Sequence, residues 1–202
     1  MSRASDNESV EGVNNFVYSI LPAIVSLLFL AYGAYVLGSR GTSRAALAFF
    51  LVCLTTFTWQ FAWAILFQIS DRAVATMIAR AGYVMILFLP TTLYHFVVEL
   101  TRRRSEMRAV NGSYLLAGCM ALGLFTSDWI VKGVSPMFFG FYPDAGVLHP
   151  LHVLQTGAVV RRAAVVLWQE QRVAVSTERL RLRYCLASLL IYCLAAIDYL
   201  CN

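Results

Sequence analysis

Long uncharged runs, separated by short polar segments, dominate the chain and predict helices that cross a membrane. Phe16 to Leu37 is the first run, with 22 residues and no charge. At about 1.5 Å per residue, a helix of this length spans roughly 33 Å, enough for a hydrocarbon core of about 30 Å. Six such segments predict an all-α membrane bundle with helices at about 16–37, 45–69, 74–100, 113–130, 147–168 and 182–201.

Three of the later segments depart from a plain apolar helix. Pro90 should kink the third, a kink that membranes tolerate where neighbouring helices or side chains such as Thr91 and Thr92 satisfy the freed backbone groups. The fourth is rich in small residues, which permit close helix approach. The fifth is long enough to cross only if it extends through Arg161 and Arg162.

The first fifteen residues are polar and differ from everything that follows. They carry Asp6, Glu8 and Glu11 against a single Arg3, so they lack the basic region with which a secretory signal begins. We therefore expect residues 1–15 to form an extracytoplasmic tail and residues 16–202 to form one transmembrane domain.

Arginine and lysine positions predict which way the helices run. The loops on one predicted side hold ten of these residues, and the loops on the other side hold three, Arg3, Arg72 and Lys132. Cytoplasmic loops of membrane proteins carry the excess of basic residues, so we expect the N-terminus to lie outside. The alternation also supports the number of segments, because a missed crossing would scramble it.

Composition agrees with a membrane protein and argues against other classes. Hydrophobic residues make up 59% of the chain, charged residues 13%, and the mean hydropathy is +0.67. That balance is too apolar for an ordinary soluble domain. The net charge of +5 lies in short runs between apolar segments rather than on one solvated face, so nucleic acid is not an expected partner.

Four stretches stand out against this apolar background. They are TTFTWQFAWAILFQ in the second segment (Thr55 to Gln68), FLPTTLYHFVVELTRRR at the end of the third (Phe88 to Arg104), GFYPDAGVLHPLHVL in the outer loop (Gly140 to Leu154), and AIDYL in the last segment (Ala196 to Leu200). In this order they resemble the N-terminal seven-helix region of bacterial sensor histidine kinases, a module that also precedes cyclase and phosphatase outputs. The resemblance covers most of the chain.

The resemblance implies a function and a location. In that family the helices detect a stimulus, and a cytosolic dimerisation and kinase region passes the signal to a response regulator. The chain would be a signal-input module in the bacterial cytoplasmic membrane, surrounded by lipid and responsive to a small ligand or to the state of the membrane. It would hold no cofactor or metal and catalyse nothing itself, and two copies would pair through the cytosolic region.

The chain departs from the family pattern in three ways. No catalytic domain is present, the seventh helix is missing, and Arg161 and Arg162 make the fifth helix more polar than the pattern leads us to expect. A seventh crossing after Asn202 would bring an output domain into the cytoplasm.

Two charges near the outer ends of apolar segments are candidates for an interhelical pair. Arg80 lies six residues into the third segment, and Asp198 lies near the end of the sixth. A charge inside hydrocarbon costs about 2.5–3.5 kcal/mol on insertion scales, which favours a partner. Alternatively, each side chain reaches the headgroups by extending along the apolar surface.

An ionic cluster near the inner side is a second candidate. His95 and Glu99 are spaced four residues apart and share one face of the third helix, and Arg161 and Arg162 approach the same depth from the fifth. Together they could form a two-state element that a ligand or a pH change biases, with His95 as the titrating group. In the plainer alternative, Glu99 pairs with the adjacent arginines and a carbonyl satisfies His95.

Aromatic residues and a histidine pair mark the outer half. Trp59, Trp63 and Tyr83 could wall an apolar ligand pocket, although packing and membrane-interface roles are common for such residues. His149 and His152, with Asp144 nearby, could bind zinc, but two histidines three residues apart suit a loop that dips into the interface equally well. We therefore expect no metal.

Two other functions compete with the signal-input module. A small transporter or channel suits the buried charges, but the six segments show no inverted repeat and no pair of glycine-broken half-helices. A membrane-embedded enzyme using His95 and Glu99 lacks a third ligand or a nucleophile. The chain has no nucleotide-binding glycine loop, HExxH or GxSxG, and its single lysine, Lys132, lies in a loop and cannot hold retinal within a helix.

Overall fold

The chain folds into a helical bundle with one β-hairpin. The computed structural model describes the backbone of residues 2–195 and the side chains of residues 16–193. Within that range the elements are α1 (Ser2–Arg40), α2 (Arg44–Leu66), α3 (Arg72–Thr101), α4 (Met107–Thr126), β1 (Val131–Met137), β2 (Gly140–Ala145), α5 (His149–Val173) and α6 (Ser176–Ala195). A single 3-10 turn, Arg104–Glu106, joins α3 to α4.

The two ends of the bundle differ in character. At the hairpin end, β1 and β2 cap the bundle, with Phe138 against Tyr18 of α1, Phe139 against Phe67 at the end of α2, and Arg72 of α3 bound to a β1 carbonyl. The opposite end, which we call the basic end, holds the other helix termini. Its arginines are Arg40, Arg44, Arg102, Arg103, Arg104, Arg108, Arg172, Arg179, Arg181 and Arg183.

Four helical stretches in the described part of the chain are long and apolar enough to cross a membrane, namely Phe16–Arg40, Arg44–Leu66, Arg72–Thr101 and Arg104–Thr126. The prediction of a helical, multi-pass membrane protein is confirmed at this level. The prediction of six crossing helices is supported only for these four. Arginines interrupt the apolar character of the other two helices, because Arg161 and Arg162 lie within α5 and three more lie in the first half of α6.

Several element bounds differ from the predicted ones. The helix α1 begins at Ser2, so the polar segment before Phe16 continues the helix rather than preceding it. The fourth helix runs over Met107–Thr126 instead of 113–130, because Ser127 ends it in an extended conformation and the following residues lead into the hairpin. The hairpin lies in the predicted outer loop, for which the sequence pattern indicates no strands.

Local chemistry explains where several elements begin and turn. Ser43 and Asp71 cap α2 and α3 by accepting hydrogen bonds from backbone N–H groups three residues ahead, as N-cap residues do. Gly140 opens β2 with φ of +125°, a conformation that side chains rarely adopt, and a Cβ there would lie 2.9 Å from the Cα of Phe67. The tight packing of the hairpin turn on the end of α2 therefore requires this glycine.

The central helix is α3, which packs against α2, α4, α5 and both strands. It continues through Pro90, and the hydroxyls of the two threonines that follow contact neighbouring helices rather than the carbonyl of Ile86 that the proline leaves without its helical partner. Thr92 donates to the Leu89 carbonyl at 2.9 Å and lies 3.3 Å from the Thr55 hydroxyl of α2, and Thr91 lies 2.6 Å from the Ser113 hydroxyl of α4. Hydrogen bonds between side chains thus join three helices at mid-depth.

Close helix approach occurs between α2 and α3 rather than on the small-residue face of α4. A Cβ added at Gly82 would lie 2.9 Å from Ala62, so these two helices touch through small residues. On α4 a Cβ added at Gly118 or Gly123 would meet nothing within 4 Å. The small residues of α4 therefore do not all serve packing within the bundle.

Candidate functional site

Aromatic and imidazole rings gather beneath the hairpin. We call Trp63, Tyr83, Tyr142, His149 and His152 the hairpin-end cluster. Its ring centroids are 6.3 Å apart between Trp63 and Tyr83, 6.3 Å between Tyr83 and His149, and 6.2 Å between the two histidines. The structure therefore brings together Trp63 and Tyr83, two of the three aromatic candidates, and adds the HPLH histidines to them.

The two histidines belong to the first turn of α5 and not to a loop. Because that turn packs against α3, His149 and His152 are only 5% and 6% exposed. One turn further along α5 lies Gln155, which is 7% exposed and donates from Nε2 to the Ser113 carbonyl at 3.2 Å. Three polar side chains, spaced three residues apart in the first two turns of α5, are thus buried in the bundle.

Several of these buried atoms make no hydrogen bond within the described part of the chain. They are both ring nitrogens of His149, Nδ1 of His152, Oε1 of Gln155 and Oγ1 of Thr156. An unsatisfied buried polar group costs about 1–3 kcal/mol, and nearly all such groups in folded proteins have partners. These buried groups therefore need partners other than the described residues, such as ordered water or a small polar ligand.

A metal site of three or more protein ligands is not formed by the residues that the structure describes. Asp144, the third residue considered for zinc, lies on β2 and accepts a hydrogen bond from Ser135 at 3.0 Å. It takes part in the hairpin and not in the histidine pair.

The remaining outer candidates occupy different places. Trp59 is partly buried and packs against the apolar core that contains Trp63 and Tyr83. Arg80 binds the Asp128 carboxylate and donates to the Val131 carbonyl at 3.2 Å, so it reaches toward the hairpin end. Asp198 lies outside the described residues, and the predicted pair with Arg80 is not tested.

A second polar site, at the basic end, is centred on Glu106. Its side chain is 9% exposed and accepts hydrogen bonds from the Tyr94 hydroxyl of α3 at 2.6 Å and from Nε of Arg162 at 2.9 Å. Nη2 of Arg162 donates to the other carboxylate oxygen, so the guanidinium binds in a bidentate manner. Glu106 therefore ties α3 and α5 to the turn before α4.

A neighbouring ion pair reinforces this connection. Nε of Arg103, just after α3, donates to Oε1 of Glu170 on α5 at 2.6 Å. We call Tyr94, Arg103, Glu106, Arg162 and Glu170 the basic-end network. Arg103 and Glu106 lie just after α3 and Glu170 lies in the last turn of α5, whereas Arg162 reaches Glu106 from the middle of α5.

The predicted inner cluster is divided in the structure. Glu99 lies 3.4 Å from Nη1 of Arg104 and 4.0 Å from Nε2 of His95, and the other ring nitrogen of His95 lies 3.2 Å from the Tyr114 hydroxyl. Arg162 binds Glu106 instead of Glu99. Arg161 is exposed and forms no ion pair with any residue that the structure describes.

Sequence reasoning identified α3 and α5 as helices joined by charge. It missed Glu106 and Glu170, the carboxylates that bind Arg162 and Arg103. Glu106 lies among arginines in the loop after α3, where nothing in the sequence indicates a partner on another helix. Its position as the sole carboxylate in that loop was the available signal. Gln155 was missed because a lone glutamine carries no pattern, although it lies one turn after the two histidines.

Comparisons with protein-family models, curated proteins and solved structures gave no match for this chain. The resemblance to the kinase input region therefore stays a prediction from sequence features alone.

Proposed function

We propose that this chain is the membrane-embedded signal-input module of a bacterial two-component sensor histidine kinase or of a related signalling protein. The path of α5 is the observation that supports this most. Its first turns carry His149, His152 and Gln155, and its second half carries Arg162 and Glu170. One rigid element thus joins a buried polar site at the hairpin end to an ion-pair network at the basic end.

A ligand shifts a conformational equilibrium only if it binds one state better than the other. The unpaired atoms of His149, His152 and Gln155 supply such a difference, because a ligand that satisfies them favours the arrangement of α5 in which they converge. Gln155 already binds Ser113 of α4, so movement of α5 also disturbs a contact between helices.

The basic-end network converts that movement into a change at the other side of the membrane. His152 and Arg162 are ten residues apart on α5, which corresponds to roughly 15 Å along a helix. A shift or rotation of α5 separates Arg162 from Glu106 and Glu170 from Arg103. Because α6 follows α5 after a short connection and packs on it, the change reaches the next helix directly.

The proposed topology has six crossings, an N-terminus outside the cell and the basic end in the cytoplasm, in the bacterial inner membrane. The arginine excess at the basic end supports this orientation. Pairing of Arg162 with Glu106 lowers the cost of carrying α5 across. A seventh helix would lead to the cytosolic output region through which two copies pair.

The full-length product of the gene, in membrane vesicles, tests the proposal through ATP-dependent autophosphorylation. We expect a seventh apolar helix and a cytosolic output region after Asn202. We expect Arg162→Glu and Glu106→Arg each to change phosphorylation several-fold and the double exchange to restore it, because the ion pair is re-formed in reverse. Arg161→Glu, the adjacent exposed arginine, is the matched control and should leave the output unchanged.

The double substitution of His149 and His152 by leucine tests the input side. It should keep a basal output and abolish the response to added stimulus. A gene that ends without an output region, or a full-length protein whose phosphorylation ignores all of these changes, would contradict the proposal, and solute flux in the same vesicles would favour the transporter instead.

A further inference from the structure

A groove opens at the basic end between α2, α3 and the start of α4. Its volume is about 300 Å³. Leu47 and Leu51 form part of one wall and are 42% and 37% exposed on the outer face of α2. Since α2 is long and apolar enough to cross a membrane, this face meets lipid acyl chains.

Two arginines stand at the end of the groove that corresponds to the headgroup level. Arg44 begins α2, and Arg104 lies in the turn after α3. The side chain of Arg104 is 56% exposed and its contact to Glu99 is long, at 3.4 Å, so most of its donors remain free. Arg44 is exposed and forms no ion pair with the residues that the structure describes.

The charges of the groove define what it can hold. Arg44 and Arg104 contribute two positive charges, and the buried Glu99 carboxylate contributes one negative charge. A ligand with a single negative charge therefore brings the groove to neutrality. Guanidinium groups bind phosphate oxygens with two parallel hydrogen bonds, and basic pockets between membrane helices are typical sites for anionic lipid headgroups.

We propose that this groove binds one anionic phospholipid, with its phosphodiester on Arg44 and Arg104 and an acyl chain along Leu47 and Leu51. The exposed arginines and the charge balance favour a singly charged anion, and the apolar wall favours a lipid over a free anion. This site is separate from the signal-input proposal, since a lipid can occupy the groove in a membrane protein of any function.

Native mass spectrometry of the purified protein, with phosphatidylglycerol or phosphatidylcholine added to the detergent, tests the proposal. We expect one tightly bound phosphatidylglycerol and at least tenfold weaker binding of phosphatidylcholine, which has no net charge. The double substitution Arg44→Gln and Arg104→Gln should lower the affinity for phosphatidylglycerol about tenfold or more. The matched control is the double substitution Arg108→Gln and Arg183→Gln, at two exposed arginines of the same end that lie outside the groove. It should change the affinity for phosphatidylglycerol by no more than about twofold.

A second variant separates a lipid from a free phosphate. Leu51→Trp fills the apolar wall and keeps both arginines, so it should weaken phosphatidylglycerol binding by a similar factor. Excess inorganic phosphate should not displace the lipid from the unsubstituted protein. The proposal would be overturned by equal binding of the two lipids, by an equal loss of lipid affinity in the control variant, or by displacement of the lipid by phosphate. The comparison of the two lipids uses the unsubstituted protein, so it remains valid even if a variant fails to fold.

Discussion

The hairpin end and the basic end of this bundle treat their polar side chains in opposite ways. At the hairpin end, His149 and His152 are buried and have nitrogen atoms without partners in the described part of the chain. At the basic end, the buried carboxylates of Glu99 and Glu106 both have basic partners. Buried imidazoles without partners among the described residues distinguish one end, and paired buried carboxylates distinguish the other.

This difference separates stability from function. Ion pairs near helix termini are partly solvated and can form or break at modest cost, which suits an element that changes state. Unpaired buried imidazoles reduce stability, and a folded protein retains such a loss mainly where a ligand or another function requires the groups. In the proposed signal-input module, ligand binding would belong to the hairpin end and the response to the basic end.

Packing between α2 and α3 should be the most sensitive feature of the hairpin end. Gly82→Val places methyl groups where a Cβ alone would already lie 2.9 Å from Ala62, so the helices must separate. We expect the free energy of unfolding in detergent to fall by about 3 kcal/mol, the upper part of the range for overpacked cores. Gly118→Val on α4, where an added Cβ would meet nothing within 4 Å, should leave the free energy of unfolding unchanged. Equal effects at both glycines would contradict the observed packing.

At the basic end, the adjacent arginines of α5 should differ in their contribution. Arg162→Gln removes a bidentate bond to Glu106 and leaves that buried carboxylate with the Tyr94 hydroxyl alone. We expect the free energy of unfolding in detergent to fall by about 2 kcal/mol, the usual contribution of hydrogen bonds to charged groups. Arg161→Gln should change the free energy of unfolding by less than about 0.5 kcal/mol.

Ionic strength sharpens the same comparison. Added salt screens partly exposed ion pairs, so the difference between the unsubstituted protein and the Arg162→Gln variant should shrink at high salt. A difference that does not depend on salt would mean that packing, and not charge, holds α5 at this end.

The hairpin end should respond in the opposite direction when a polar group is removed. His149→Leu replaces a buried ring with two unsatisfied nitrogens by an apolar side chain of comparable size. We expect the free energy of unfolding to rise by about 1 kcal/mol, because the desolvation penalty disappears. Thermal unfolding in detergent measures the change in stability. Leu154→Ala, at a 70% exposed position of the same helix, is the control for the effect of any substitution on α5. Destabilisation by the His149 change would indicate that the ring is satisfied in the folded protein.

Hydrophobic patterning was enough to predict the helices, and sequence spacing was enough to predict which helices carry charge. The runs that begin at Phe16, Ala45 and Val74 all became long helices, because lipid leaves the backbone of an apolar run no partner except itself. Thr91 and Thr92 were expected to satisfy backbone groups freed by Pro90, but their hydroxyls contact Ser113 and Thr55 of neighbouring helices instead.

Pairing between elements could not be predicted in the same way. Glu99 and Glu106 lie seven residues apart near the same arginines, and only the fold decides that Arg162 meets the second of them. The hairpin was missed because its strands contain Pro136 and Pro143, which are unfavourable in sheets, and two isolated strands carry little periodic signal. The histidine pair was identified, but its burial depends on α5 beginning at His149, a bound that composition alone does not fix.

The turns at the two ends supply the smallest expected effect. The hairpin uses Gly140 at its positive φ, whereas the turn after α3 places Arg102 in the left-handed region, with φ of 57°. Arg102→Gly relieves the strain between Cβ and backbone, although the unfolded chain gains freedom, so we expect a net rise in stability of about 0.5 kcal/mol. Arg108→Gly, the same change within the first turns of α4, should instead cost about 1 kcal/mol. Chemical denaturation in detergent compares the two variants, and a loss of stability for both would show that Arg102 contributes a contact that outweighs its backbone strain. A gain for Arg102→Gly alone would mean that the basic end keeps an arginine where glycine folds better, as expected if positive charge at this end has a role beyond folding.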